Sequence, residues 1–231
     1  MAIVLSRIGL SVVVCSLVLA GCQRSAEQQA PTPVTISEAL PTITDMPGDW
    51  DETQRQVFDE RGPENPSIDP SVWCPAASKL GDELVELAGP AGADVEMQAE
   101  TNDGFPRFMR LQAWTNGDVD EYFDRAEEAV RLCDGSTNGD PNGAVETFSI
   151  IDGREIGDES VSWEQIVTPP ASLQTDKFQS IGRTTIARFG SIVMVLQLGD
   201  AAFTDEVVPL SEDEWWTIVE LAGRRLATLA S

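Results

Sequence analysis

The chain has 231 residues, 42% of them apolar, and a net charge of −24 from 39 acidic and 15 basic residues. Such acidity excludes nucleic acid as a partner, because phosphate recognition is built on clustered Lys and Arg. Histidine is absent, which removes Ser-His and Cys-His nucleophile pairs and the usual His-rich zinc sites.

Ile8 to Ala20 is an apolar run behind one charge, Arg7, and it closes on Leu19-Ala20-Gly21-Cys22. A small residue ahead of a cysteine at the end of such a run distinguishes a lipoprotein signal from an ordinary secretory signal. The tetrapeptide resembles the bacterial lipobox. That resemblance implies a signal peptide over 1–21, cleavage before Cys22, and lipidation of Cys22 with thioether-linked and further acyl chains such as palmitate. Cys15 lies in the same run, but Val14 before it is too large for this cleavage. The chain is therefore expected at the cell membrane, lipid-anchored on the extracytoplasmic face. Two or more acyl chains on one residue anchor stably where one does not. No later apolar run approaches the ~20 residues of a membrane-spanning helix.

With Cys15 in the leader and Cys22 lipidated, Cys74 and Cys133 remain. Two cysteines in an oxidising compartment read as one disulfide. It would close a loop of about sixty residues, worth on the order of 4 kcal/mol by the chain-entropy estimate.

Residues 22–40 are polar and proline-bearing and read as a flexible tether, leaving 41–231 as one folded domain. Leu40 to Trp50 reads as an extended strap anchored by Trp50, and residues 51–72 as a surface loop. A helix is predicted over Pro75–Ala88, stopped by Gly89-Pro90. Strands follow near Asp94–Ala99 and Pro106–Thr115. In the second, Met109, Leu111 and Ala113 suit a core, while Phe108, Arg110, Gln112 and Trp114 suit a solvated face or a binding floor. A second helix starts after Asn116-Gly117, with Asp118 as cap and Glu121 reaching back, and ends at Cys133. Further strands are predicted at Ala144–Ile151 and Asp158–Thr168, and a hairpin at Arg183–Phe189 and Ser191–Leu198. The last helix starts at Ser211 with Glu214 completing a capping box. Trp215-Trp216 places two adjacent indoles on that helix, so one is expected to be partly exposed. The fold class is α+β: an antiparallel sheet with about three helices mainly on one face, leaving a cleft.

Several segments together resemble the extracellular sensor domain of PknH-type bacterial receptor kinases and of actinobacterial lipoproteins carrying it. They are Leu40-Pro41, Met46-Pro47-Gly48-Asp49-Trp50, Trp73-Cys74, the helix end Ala126 to Cys133, Gly157-Asp158-Glu159-Ser160-Val161, and Ile186 to Val193. The resemblance implies an antiparallel sheet packed by helices around a wide cleft, with a sensing or ligand-binding role and no established enzymatic chemistry. The Cys74–Cys133 pair corresponds to one disulfide of that family. The cysteines of its second bridge are missing here.

Chemistry-bearing candidates are few. Asn138 to Gly143 partly imitates a calcium loop, but it begins with Asn, is interrupted by Pro141 and has Ser149 where a bidentate Glu is needed. Glu212-Asp213-Glu214 sits in a helix's first turn, where the macrodipole favours carboxylates without any metal. No carboxylate pair is singled out for hydrolysis. Arg110 with Trp114 is the candidate ligand patch, since an aromatic beside a guanidinium holds planar or anionic groups. The alternative for Arg110 is an ion pair with a neighbouring strand. The sequence thus predicts a lipid-anchored, non-enzymatic module that needs no cofactor. It is expected to bind a small molecule or lipid in its cleft, or alternatively to dock on a cationic envelope protein through its acidic surface.

Overall fold

The computed structural model describes residues 30–59, 74–89, 91–100, 106–139, 144–170, 179–202 and 210–231. Eight strands form one fully antiparallel sheet: β1 (Asp51–Phe58), β2 (Ala91–Glu100), β3 (Pro106–Thr115), β4 (Thr137–Gly139), β5 (Val145–Ile150), β6 (Glu159–Thr168), β7 (Gln179–Phe189) and β8 (Ile192–Ala202). Their spatial order is β1-β2-β3-β8-β7-β6-β5-β4. The four helices are α1 (Pro33–Ala39), α2 (Ser78–Leu87), α3 (Val119–Cys133) and α4 (Glu212–Ala230).

The α+β antiparallel class is as the sequence predicts, but the helices divide two and two between the faces. Met109, Leu111, Ala113, Met194, Leu196 and Leu198 pack with α1 and α4. Trp114, Val193, Val195, Ile186, Trp163 and Phe148 pack with α2 and α3. Periodicity shows that each helix has an apolar stripe but not which side of the sheet receives it. The central strands are apolar on both faces, so each face needs a cover.

The α1/α4 face is the better sealed. α4 begins with the predicted capping box: the Glu214 amide donates to the Ser211 hydroxyl at 3.2 Å, and the Ser211 amide donates to the Glu214 carboxylate at 2.9 Å. The Ser211 hydroxyl, donating to the same carboxylate at 2.7 Å, and then the Ser211 amide hold the Glu214 carboxyl below its usual range. Both tryptophans of α4 are buried, contrary to the expectation that one is exposed. Trp215 faces the core. Trp216 lies under the 151–157 segment, where a Cβ on Gly153 would sit 2.4 Å from its ring, and its indole donates to Glu212 at 3.2 Å.

Two elements fall in stretches read as irregular. α1 lies within the predicted tether, capped by Thr32, with Ile36 fully buried. β1 lies in the predicted loop and pairs with β2 along its length. Arg55 on β1 links them, donating to the carbonyls of Ser37 at 2.8 Å and Pro41 at 2.7 Å. The strap between carries Trp50 as its buried anchor, as expected, with the indole donating to Pro47 at 2.9 Å.

On the other face α2 is shorter than predicted, because Pro75–Ala77 is a 3-10 turn. The start of α3 also departs from expectation, since Asp118 makes no side-chain cap. Asn116 shapes this corner instead: its side chain accepts from the Asp118 amide and donates to the Leu87 carbonyl, both at 2.8 Å. The β7–β8 turn needs Gly190, whose φ of 56° is left-handed and favours glycine. β4 occupies the start of the stretch that imitates a calcium loop, and residues 140–143 of that stretch lie outside the described residues.

Candidate functional site: a half-open sheet floor

Among the described residues, the α2/α3 face is covered at one end and uncovered at the other. At the closed end the side chains of the sheet meet Leu80, Leu84, Tyr122 and Phe123 from the helices. Trp114 and Tyr122 contact edge to face at 5.6 Å, and Phe148 stacks on Trp163 at 5.9 Å. The Trp114 indole nitrogen and the Tyr122 hydroxyl are buried without a hydrogen-bond partner. Burial pushes the Tyr122 phenol far above its usual range.

At the open end the same strands present polar groups, an exposed ring and two glycines. One row across the sheet runs Gln98, Phe108, Gly199, Gly182, Gln165. The next runs Glu96, Arg110, Gln197, Thr184. Phe108 is 54% exposed, whereas its strand neighbour Met109, pointing to the other face, is 1% exposed.

Between the two ends lies a buried charge. Asp94 is fully buried and one of its oxygens accepts from Arg110 at 2.6 and 3.0 Å and from Gln112 at 3.1 Å. Arg110 also faces Glu96 at 3.4 Å. The alternative kept for Arg110, an ion pair with the adjacent strand, is what the geometry displays. The two candidate ligand residues are thereby separated: Arg110 borders the open floor, and Trp114 lies inside the closed end.

Cys74, ahead of α2, and Cys133, at the end of α3, are both buried, and in place of the expected disulfide they are free thiols in the structure. The Cys74 thiol points at the Leu132 carbonyl at 3.9 Å. Burial first, and then the adjoining Cys74 thiol, pushes the Cys133 thiol well above its usual range. Cys22 lies outside the described residues.

One other concavity is lined by matched charges. At about 500 Å³ beside residues 150–155, it contains Arg131 and Arg154, each engaged by a carboxylate, Glu127 and Glu220 respectively. Among the described residues no three Cys, Asp or Glu groups gather as metal ligands, and no helix is long and apolar enough to cross a membrane.

Sequence alternation placed Phe108 and Arg110 on a non-core face but did not single out Asp94, Gly182 or Gly199. The available signal was the glycine within each of two predicted or adjoining strand segments, where glycine weakens a strand and needs a reason.

The fold is a three-layer arrangement: helix pair, antiparallel sheet, helix pair, with half of one sheet face left as a floor. In overall fold the chain is similar to the crystal structure of the extracellular domain of PknH from Mycobacterium tuberculosis, with a TM-score of 0.52 and 7% identity, covering 86% of this chain and 98% of that domain. The expected likeness to PknH-type extracellular domains therefore holds at the level of fold. A putative uncharacterized protein from Mycobacterium smegmatis aligns with a TM-score of 0.42 and 14% identity, over 79% of this chain and 89% of its own. No family model matches the sequence, and no curated protein matches it.

Proposed function

We propose that this chain is an extracytoplasmic binding module, anchored in the membrane through lipidated Cys22, which holds a small molecule on the open half of the α2/α3 face and performs no catalysis. The observation that carries this reading is the contrast between the two faces of the same strands. On β3 Met109, Leu111 and Ala113, turned to α1 and α4, are buried, while Phe108 on the other face is 54% exposed. Covering a phenylalanine side chain stabilises by about 2 kcal/mol, and the fold forgoes this at a site bordered by polar groups. An exposed apolar contact beside a few convergent polar groups is a recurrent element of ligand sites. The lining favours a polar small molecule over a lipid. The fold likeness to an extracellular domain supports the location.

Native mass spectrometry of the exported chain tests the reading. A mass above that of the lipidated polypeptide, lost on denaturation, supports it and identifies the ligand class. A net charge of −24 favours the second reading, docking on a cationic envelope protein. Binding that collapses as salt rises would select that alternative, since rim electrostatics are screened over about 8–10 Å.

A further inference from the structure

We infer that the open floor is a saccharide-binding trough centred on Phe108, Gly199 and Gly182, and that its ligand is a neutral glycan whose rings lie against the Phe108 side chain. This rests on the reading of that floor as a ligand site and specifies the class of ligand.

Phe108 pairs with Gly199 on β8, and Gly199 pairs with Gly182 on β7. All three positions face the same side of the sheet. With strands about 4.8 Å apart, two adjacent glycines leave a strip roughly 10 Å wide without side chains. Packing does not require either glycine. A Cβ on Gly199 would meet nothing within 4 Å, one on Gly182 would make only ordinary contacts from 3.9 Å, and neither has a positive φ. Gly92 in β2 is the contrast, since a Cβ there would sit 2.2 Å from the Ala113 carbonyl. A strand glycine without a packing reason marks close approach by another molecule.

The chemistry around the strip selects the ligand. Gln98, Gln165 and Thr184 flank it. Amides and hydroxyls both donate and accept, as do the hydroxyls of a sugar. The exposed ring offers an apolar surface to the C–H face of a pyranose. The charges at the edge are already matched, with Arg110 engaged by Asp94 and Glu96. Among the described residues no unpaired cation borders the strip for an anionic group, and the acidic balance of the whole chain repels anions. A neutral, polyhydroxylated ring compound satisfies all of these conditions.

The test is saturation-transfer NMR on the exported full chain with maltohexaose, cellohexaose and mannohexaose as probes. Two variants accompany the wild type. Phe108→Ala removes the ring from an exposed position, and Gly199→Val fills the trough with a residue that suits a strand. The expected result is transfer to ring protons of at least one saccharide, and a loss of about tenfold or more in affinity in each variant, with thermal unfolding of both variants at or above the wild-type temperature. Transfer that persists in both variants, or none to any of the three probes, overturns the inference. Native mass spectrometry separates its failure from that of the underlying reading. A bound molecule that is not a saccharide overturns the glycan assignment and leaves the binding module standing. A bare mass together with no transfer overturns both.

Discussion

Arg110 on β3 reaches across to Asp94 on β2 and sets two nitrogens, Nη2 at 2.6 Å and Nε at 3.0 Å, on one oxygen of a fully buried carboxylate. The other oxygen is buried with no partner among the described residues. An ion pair of this kind adds little net stability over an apolar pair, because desolvation offsets the attraction, but removing one member strands the other. Arg110→Ala is expected to destabilise by about 3 kcal/mol, the lower end for a broken buried pair because the arginine is 24% exposed. Adding Asp94→Asn to Arg110→Ala should recover part of the loss, although Asp94→Asn alone destabilises. Urea unfolding of the four proteins measures the coupling, and additivity within about 0.5 kcal/mol would show that the pair does not act as a unit.

The two buried cysteines, free thiols in the structure, adjoin where the chain enters α2 and leaves α3. We expect them to be joined in the exported protein, and the high thiol range of Cys133 argues against a nucleophilic role. Alkylation of the denatured, unreduced chain should label neither Cys74 nor Cys133. Reduction should lower stability by about 4 kcal/mol, the chain-entropy value for a loop of this length. Two labelled residues would exclude the bridge.

Features with a local cause were the legible ones. Ser211 and Glu214 are three apart ahead of an apolar stripe, and their capping box forms as read. β3 was read to the residue because its alternation is strict and Asn116-Gly117 follows it. α1 and β1 were missed because their stability comes from tertiary partners: α1 is seven residues with one buried side chain, and β1 is mostly exposed. Short helices are marginal alone, and an edge strand needs no apolar alternation. Trp216 was misassigned because its cover comes from the distant 151–157 segment, which no helical projection contains. The open floor was legible only in half. Alternation set Phe108 and Arg110 on one face, but Asp94, Gly199 and Gly182 join them through strand order, which periodicity does not encode.

Tyr122 buries its hydroxyl against Trp114 without a hydrogen bond. A polar group buried this way costs about 1–3 kcal/mol. Tyr122→Phe keeps the ring contact and should raise stability by about 1 kcal/mol. It should also change the alkaline limit. The folded phenol is pushed up by burial, so its contribution is fully present below the unfolded value near 10 and is lost as pH rises beyond it. Thermal unfolding between pH 9 and 11 should therefore fall less steeply in Tyr122→Phe than in wild type. Parallel slopes would mean that Tyr122 ionises in the folded state and is reached by water.

Asp45 supplies the opposite limit. Its carboxylate accepts from the Thr42 hydroxyl at 2.6 Å and the Thr42 amide at 2.8 Å, and it pairs with Arg225 on α4. The Thr42 hydroxyl first, then the Thr42 amide, and Arg225 after them hold its pKa below the ordinary value of 3.8, against burial, which raises it. A depressed carboxylate stabilises the fold above its unfolded pKa, and that stabilisation is lost as pH falls through the folded one. The strap between α1 and β1 should therefore loosen from α4 only in strong acid. Asp45→Asn should lose about 1 kcal/mol at neutral pH, the scale of a removed cap, and the difference from wild type should shrink below about pH 4 as the wild-type group protonates. Hydrogen exchange of the amides of 40–46 reads this locally. Protection there that is equal in both proteins at neutral pH would place the anchoring of the strap in Trp50 and Leu40 alone.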